Sequence, residues 1–119
     1  MRKTQAAARR CKTMSVLQKM LGGKYKLEIL YYIAFEDIRR FGALRRQLGE
    51  ITESSLTKQL RELEADGFLI RHDFHEVPPR VEYTLSELGK SFMDVLCYMK
   101  QWGERSLPGI TDGAEETEK

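Results

Sequence analysis

Apolar residues recur along this chain with two different periods. From residue 13 to 21, Met14, Leu17, Met20 and Leu21 fall at helical spacing, and Gly22-Gly23 breaks the run. A second helix is predicted over 24–35, where Leu27, Ile29, Leu30, Ile33 and Ala34 cover most of the circumference. A helix that apolar belongs in the middle of a domain. Ile38 to Arg40 is long enough only for a strand stub. Phe41, Leu44 and Leu48 then mark a third helix over 41–48, stopped by Gly49, with Arg46 opposite its apolar side. After the turn Gly49-Glu50-Ile51 comes TESSLTKQLRELEADG, residues 52–67, whose narrow stripe is Leu56, Leu60 and Leu63. Thr52 suits the N-cap, Glu53 places a carboxylate where the helix dipole favours one, and Gly67 accepts the left-handed conformation that ends a helix.

The period then changes. Phe68, Ile70, His72 and Phe74 alternate with Leu69, Arg71 and Asp73, and Val81, Tyr83 and Leu85 alternate with Glu82 and Thr84. These are two strand patterns, joined by His75-Glu76-Val77-Pro78-Pro79-Arg80, a connection stiffened by two prolines and tipped by a cation. A last helix is predicted over 86–106, capped by Ser86 and closed by Pro108-Gly109, about 30 Å long. Leu88, Phe92, Val95, Leu96, Met99 and Trp102 form its stripe, and Met93, Cys97 and Tyr98 widen it beyond one core-facing side. That surplus suggests a partner subunit, with Met14, Leu17, Met93, Cys97 and Tyr98 in the interface.

Two helices joined by about three residues with a glycine in the turn make a helix-turn-helix, although such pairs also occur as plain packing units. The hairpin that follows turns the pattern into a winged helix. The expected fold is therefore mainly α with a small β-hairpin: a winged helix-turn-helix with a long terminal dimerisation helix. At 119 residues it forms one domain, over 11–110, between a disordered basic arm (1–10) and a disordered acidic tail (111–119).

Charge sharpens this picture. The net charge is only +2, but residues 1–12 carry five cations and no acid, and residues 111–119 carry four acids against Lys119. Between them, residues 39–61 hold Arg39, Arg40, Arg45, Arg46, Lys58 and Arg61 against Glu50 and Glu53. A basic patch on two neighbouring helices points to nucleic acid more strongly than overall charge does. At about 100° per residue, with the leucine stripe inward, Ser54, Lys58 and Arg61 lie on the outer side of helix 52–66, flanked by Ser55 and Thr57. Its acids, Glu62, Glu64 and Asp66, gather at the far end, so its first turns suit a polyanion.

Cys11 and Cys97 lack metal-ligand spacing and a disulfide framework, which fits a reducing cytoplasm. No apolar run is long enough for a membrane span, and no cofactor or metal requirement is legible.

Several stretches carry a resemblance to the HxlR-type family of prokaryotic winged-helix transcriptional regulators. They are Gly22-Gly23-Lys24-Tyr25, Arg40-Phe41 with Leu44, Leu56-Thr57, Leu60 to Gly67, Val77-Pro78-Pro79-Arg80-Val81-Glu82-Tyr83, Leu85 to Gly89, and Trp102-Gly103, together with an N-terminal cysteine. The resemblance implies a homodimer held by N- and C-terminal helices, with two recognition helices in successive major grooves, acting as repressor or activator. Three positions depart from the family pattern: Lys12 follows Cys11 where proline is frequent, Tyr25 stands for tryptophan, and Gly42 stands for a polar residue. Some members sense electrophiles or oxidants through the N-terminal cysteine, so Cys11 is the candidate sensor.

The expected function is sequence-specific binding of double-stranded DNA by a dimer at an inverted-repeat operator. Arg40 and Arg46 would take phosphates, Ser54, Thr57, Lys58 and Arg61 would face the major groove, with Thr52 and Ser55 also in the DNA-binding set, and Arg80 would reach the adjacent minor groove or its phosphates. The alternative is a winged-helix module that binds an acidic protein partner. A thiol enzyme pairing Cys11 with His72 or His75 has little behind it, since no carboxylate completes a triad. The effector, small molecule or electrophile, is not legible.

Overall fold

The computed structural model describes residues 9–110; the expected acidic tail and most of the basic arm lie outside the described residues. In chain order the elements are α1 (Lys12–Leu21), α2 (Lys26–Phe35), α3 (Phe41–Leu48), α4 (Glu53–Ala65), β1 (Leu69–Asp73), β2 (Val81–Leu85), α5 (Glu87–Ser91) and α6 (Met93–Ser106). No described helix is long and apolar enough to cross a membrane.

α2 runs through the middle, as its pattern predicts. Ile29, Leu30 and Ile33 are buried among Leu44 of α3 and Leu56, Leu60 and Leu63 of α4, while Leu27 and Phe35 remain exposed. The α3–α4 connection is packed as well as short: Ile51 enters the core, and Arg45 Nε donates to the Ile51 carbonyl at 3.3 Å. Gly49, at φ +82, makes the sharp exit from α3. Thr52 caps α4, its hydroxyl accepting the Ser55 N–H at 3.1 Å. At the other end Gly67, at φ +92, lets the Phe68 N–H reach back to the Leu63 carbonyl and the Gly67 N–H to that of Glu64. This reciprocal closure points the chain from α4 straight into β1.

β1 and β2 form an antiparallel hairpin in the register Leu69↔Leu85, Arg71↔Tyr83, Asp73↔Val81. The base is anchored by buried Leu69, Tyr83 and Leu85, and the tip stands in water. The alternation in the sequence put Ile70, His72 and Phe74 on one side with Phe68, but only Phe68 of that set is buried; Ile70 and Phe74 are exposed. A two-stranded wing leaves the core after its first residue, so its apolar face has nothing to pack against further out. The strand stub before α3 is real but minimal. Arg39 accepts the Tyr83 N–H at 2.9 Å and Arg40 bridges Glu82, which fixes the start of α3 to the wing.

The predicted single C-terminal helix is broken. Ser86 caps α5, accepting the Gly89 N–H at 3.0 Å, and its hydroxyl donates to the Gly67 carbonyl. The chain turns at Phe92, whose N–H bonds three residues back to Gly89 and whose ring packs against Phe68, 5.7 Å between centroids. A residue recruited to the core at that point interrupts the ladder, and α6 starts afresh at Met93.

The face of α6 also differs from its pattern. Leu96 is buried and Met93 packs against the core, whereas Val95, Tyr98, Met99 and Trp102, the last three of them 42–62% exposed, look outward. Apolar residues on both sides of a helix carry no mark of which side meets its own domain. The core took Phe92, Met93 and Leu96, and the rest of the stripe is left uncovered.

Candidate nucleic-acid interface

α3, α4 and the wing enclose an open trough of about 1200 Å³. One wall is α3 with Arg40 and Arg46, the other is α4 with Thr57 and Arg61, and Arg71, Arg80 and Tyr83 of the hairpin close the third side. Five arginines therefore converge on it against Glu53 and Glu64. A second shallow surface continues round α4 over Ser54, Thr57, Lys58 and Arg61. The two share Thr57, Arg61 and Ala65, so the outer face of α4 forms the ridge between them.

Among the described residues, no carboxylate lies within 4.0 Å of the charged atoms of Arg40, Arg46, Lys58 or Arg61. Glu62, the acid next to Arg61, is occupied elsewhere. Its Oε1 lies 2.8 Å from Nζ of buried Lys26, which holds the Glu62 carboxyl below its ordinary range. Lys58 acts on Glu62 only at longer range, so none of the four cations is committed to an internal ion pair and each can meet an external anion.

The other sequence candidates divide. Ser54, Thr57, Lys58 and Arg61 face outward together, as expected. Ser55 does not join them: it is half-buried, and its hydroxyl accepts Gln59 Nε2 at 3.2 Å. Thr52 is exposed but occupied as the cap, with its hydroxyl 3.4 Å from that of Ser54. Arg80 departs most from expectation. It is not the tip of the wing; Val77, 98% exposed, is. Arg80 folds back with its guanidinium 3.9 Å from the Phe74 ring centroid, Nε 3.0 Å from Glu82 and Nη1 3.5 Å from Glu76. Two carboxylates and a ring hold it into the trough wall, so its reach is shorter than a free side chain's.

Arg71 is the cation that the pattern missed. It lies on the strand face that also carries buried Leu69, opposite Tyr83, and so points into the trough, with only a 3.8 Å contact to Asp73. The signal was present, since a cation alternating in phase with a core leucine must emerge beside the core.

Away from the trough, Met14 and Tyr98 are about 60% exposed, Leu17 and Cys97 are half-buried, and Met93 is spent on the core. Of the expected interface set, Met14 and Tyr98 are thus the most open, and Val95, Met99, Trp102 and Val16 add exposed apolar surface. Cys11 is exposed at the N-cap of α1, and neither cysteine is in a disulfide. His72 bonds Thr84 across the hairpin at 2.9 Å, and His75 lies at the wing turn beside Asp73.

A sequence model described as HxlR-like helix-turn-helix matches residues 20–110. The chain is 47% identical over 85 residues to the HTH-type transcriptional regulator YybR of Bacillus subtilis (strain 168), covering 71% of this chain and 67% of that protein. It is 42% identical over 86 residues to the putative regulatory protein MalR of Fusobacterium mortiferum, covering 72% and 81%. Among solved structures it is similar to the redox regulator HypR in its reduced form, with a TM-score of 0.75 at 40% identity over 82% of this chain and 95% of that one. The putative HTH-type transcriptional regulator YtcD aligns with a TM-score of 0.73 at 38% identity, over 80% and 96%. These relatives are regulators of transcription, not enzymes.

Proposed function

This chain belongs to the HxlR-like helix-turn-helix family of winged-helix transcriptional regulators, and from that premise we propose that it works as a homodimer on an inverted-repeat operator. In this reading α4 of each protomer enters a major groove, and the wing follows the strand toward the adjacent minor groove. The observation that carries it is the trough of five arginines, bordered by an α4 face with Ser54, Thr57, Lys58 and Arg61 free of internal ion pairs. Hydroxyls and cations on the leading turns of a helix are the groups that read base edges, and a cationic rim beside them is what phosphates require.

Selection of bound sequences from random duplex DNA tests the reading, together with the mass of the protein in solution. The expected product is an inverted repeat whose half-sites lie about 34 Å apart, one helical turn, bound by a dimer with affinity that falls steeply with salt. No enrichment at low salt, with binding to an acidic protein instead, would favour the protein-interaction module.

The similarity to a redox regulator supports one further element of this reading. Cys11 opens α1, which carries the exposed Met14 and Val16, so a group added to its thiol would sit beside the proposed dimer surface. Such a change would alter the spacing of the two recognition helices, which must match half-sites one turn apart. DNA binding by Cys11→Ser is expected to resist thiol-modifying reagents that release the unaltered protein. An equal response from both proteins would remove Cys11 from the mechanism.

A further inference from the structure

α4 is held to the domain in two chemically different ways. Leu56, Leu60 and Leu63 bury its inner stripe, and such contacts are non-directional: a helix seated on leucines alone can turn or slide slightly at small cost. The second attachment is directional. Gln59 lies on the same stripe, only 6% exposed, with its Oε1 accepting the Tyr25 N–H at 2.8 Å. One turn on, Glu62 takes the ammonium of Lys26, itself 3% exposed, at 2.8 Å. Both bonds end on one short stretch, Tyr25-Lys26 at the start of α2. Gly23 makes the approach feasible, because a Cβ there would stand 2.9 Å from Gln59 Oε1 and 3.0 Å from Lys26 Cε.

Two directional bonds about 4.5 Å apart along a helix fix both its rotation and its translation. Resting on the DNA-binding reading above, we propose that Gln59 and the Lys26–Glu62 pair are positioning residues for sequence recognition: they lock α4 to the start of α2 so that Ser54, Thr57, Lys58 and Arg61 meet defined base edges. None of the three need touch DNA. The pair is buried only at its lysine end, Glu62 keeping 44% of its side chain exposed, so it is weak evidence for stability, and the best-attested use of such a pair is to specify one arrangement. Base reading demands such an arrangement, because contacts held within about 0.5 Å discriminate and looser ones do not.

Glu62 allows a test in which charge alone predicts an unchanged ratio of specific to scrambled binding and position predicts a lowered one. It lies at the edge of the α4 surface with Lys58 and Arg61. If it were only a surface acid, its removal would raise affinity for every duplex. If it positions α4, its removal lowers the ratio of specific to scrambled binding while scrambled binding holds or rises.

The experiment measures melting temperature and affinity for the selected operator and for a scrambled duplex, at two salt concentrations, for three proteins. These are the unaltered chain, Lys26→Met/Glu62→Gln, which removes the buried charge with its partner, and Gln59→Met, which keeps volume and loses the Tyr25 bond. The expected result is a fall of about tenfold in the specific-to-scrambled ratio for both variants, with an unchanged salt slope and melting temperatures that remain cooperative. A ratio within twofold of the unaltered chain in either variant overturns the two-tether assignment. A fall confined to conditions in which the variant is partly unfolded overturns it also. Failure of the parent reading looks different: the unaltered chain itself then shows no preference for any duplex, and the positioning role falls with it.

Discussion

A chain carrying Tyr98→Glu and Trp102→Glu is expected to run as a folded monomer and to lose operator binding by about two to four orders of magnitude. Val95, Tyr98, Met99 and Trp102 follow each other at the spacing of a single helical face and are 42–62% exposed, while the opposite side of α6 already fills the core through Met93 and Leu96. Such a stripe, with Met14 and Val16 of α1 also exposed, is the apolar surface that the proposed dimer would cover. A carboxylate on it costs little while the face is wet and several kcal/mol once a second copy covers it without a counter-charge. Folding should survive because neither residue contributes to the core. Operator binding should not, because each half-site then binds without the other's effective concentration. Light scattering and a binding titration at the same concentration check both halves. An unaltered chain that is monomeric at micromolar concentration, or a variant that still dimerises, would refute the interface.

The contrast between α4 and α6 shows what the sequence carries. The bounds of α4, its cap at Thr52 and its exit at Gly67 were readable because one face is apolar, the other polar, and the terminal residues have local jobs. The orientation of α6 is not legible in the sequence, for the opposite reason. Its apolar residues surround most of the helix, and periodicity records which residues avoid water without recording which surface covers them. The break at Phe92 was equally hidden, since nothing in Ser91-Phe92-Met93 opposes a helix; the interruption comes from the Phe68 ring and from Gly89 lying against the Phe68 carbonyl.

Polar residues within apolar stripes are the second feature whose role only the fold reveals. Lys26, Ile29, Leu30 and Ile33 stand at offsets of three, four and seven, and so do Leu56, Gln59, Leu60 and Leu63. In each case a polar group occupies a core position, which is tolerable only with a partner. Reading both together would have suggested that the two helices bond each other's surroundings, but not that Tyr25 N–H and Glu62 are the partners. Arg80 failed for a comparable reason. From sequence it was a cation at the end of a turn, and only the fold brings Glu76, Glu82 and Phe74 round it.

Alanine substitutions on the two sides of the trough are expected to separate reading from holding. Thr57, Lys58 and Arg61 project from the outer face of α4 beside Ser54, and Arg61 is released for DNA because Glu62 belongs to Lys26. Loss of a base-reading group among these four should cost about 1–3 kcal/mol on the selected operator and relax the preference at one position per half-site. Arg40 and Arg71 lie on the α3 wall and the hairpin side of the trough, which in the proposed docking would face a strand rather than base edges. Removing either should weaken all duplexes alike and reduce the salt slope by about 1. Arg80→Ala belongs with them but with an imbalance of its own. Glu76 and Glu82 already neutralise much of its charge, so the slope should change less, while the two carboxylates it leaves behind repel the phosphates and deepen the loss of affinity. Titrations of each variant against the operator and a scrambled duplex at two salt concentrations distinguish the classes. If all four α4 variants keep the original sequence preference while Arg40→Ala and Arg71→Ala alter it, the reading surface is the wing side of the trough, and α4 serves only to hold the backbone.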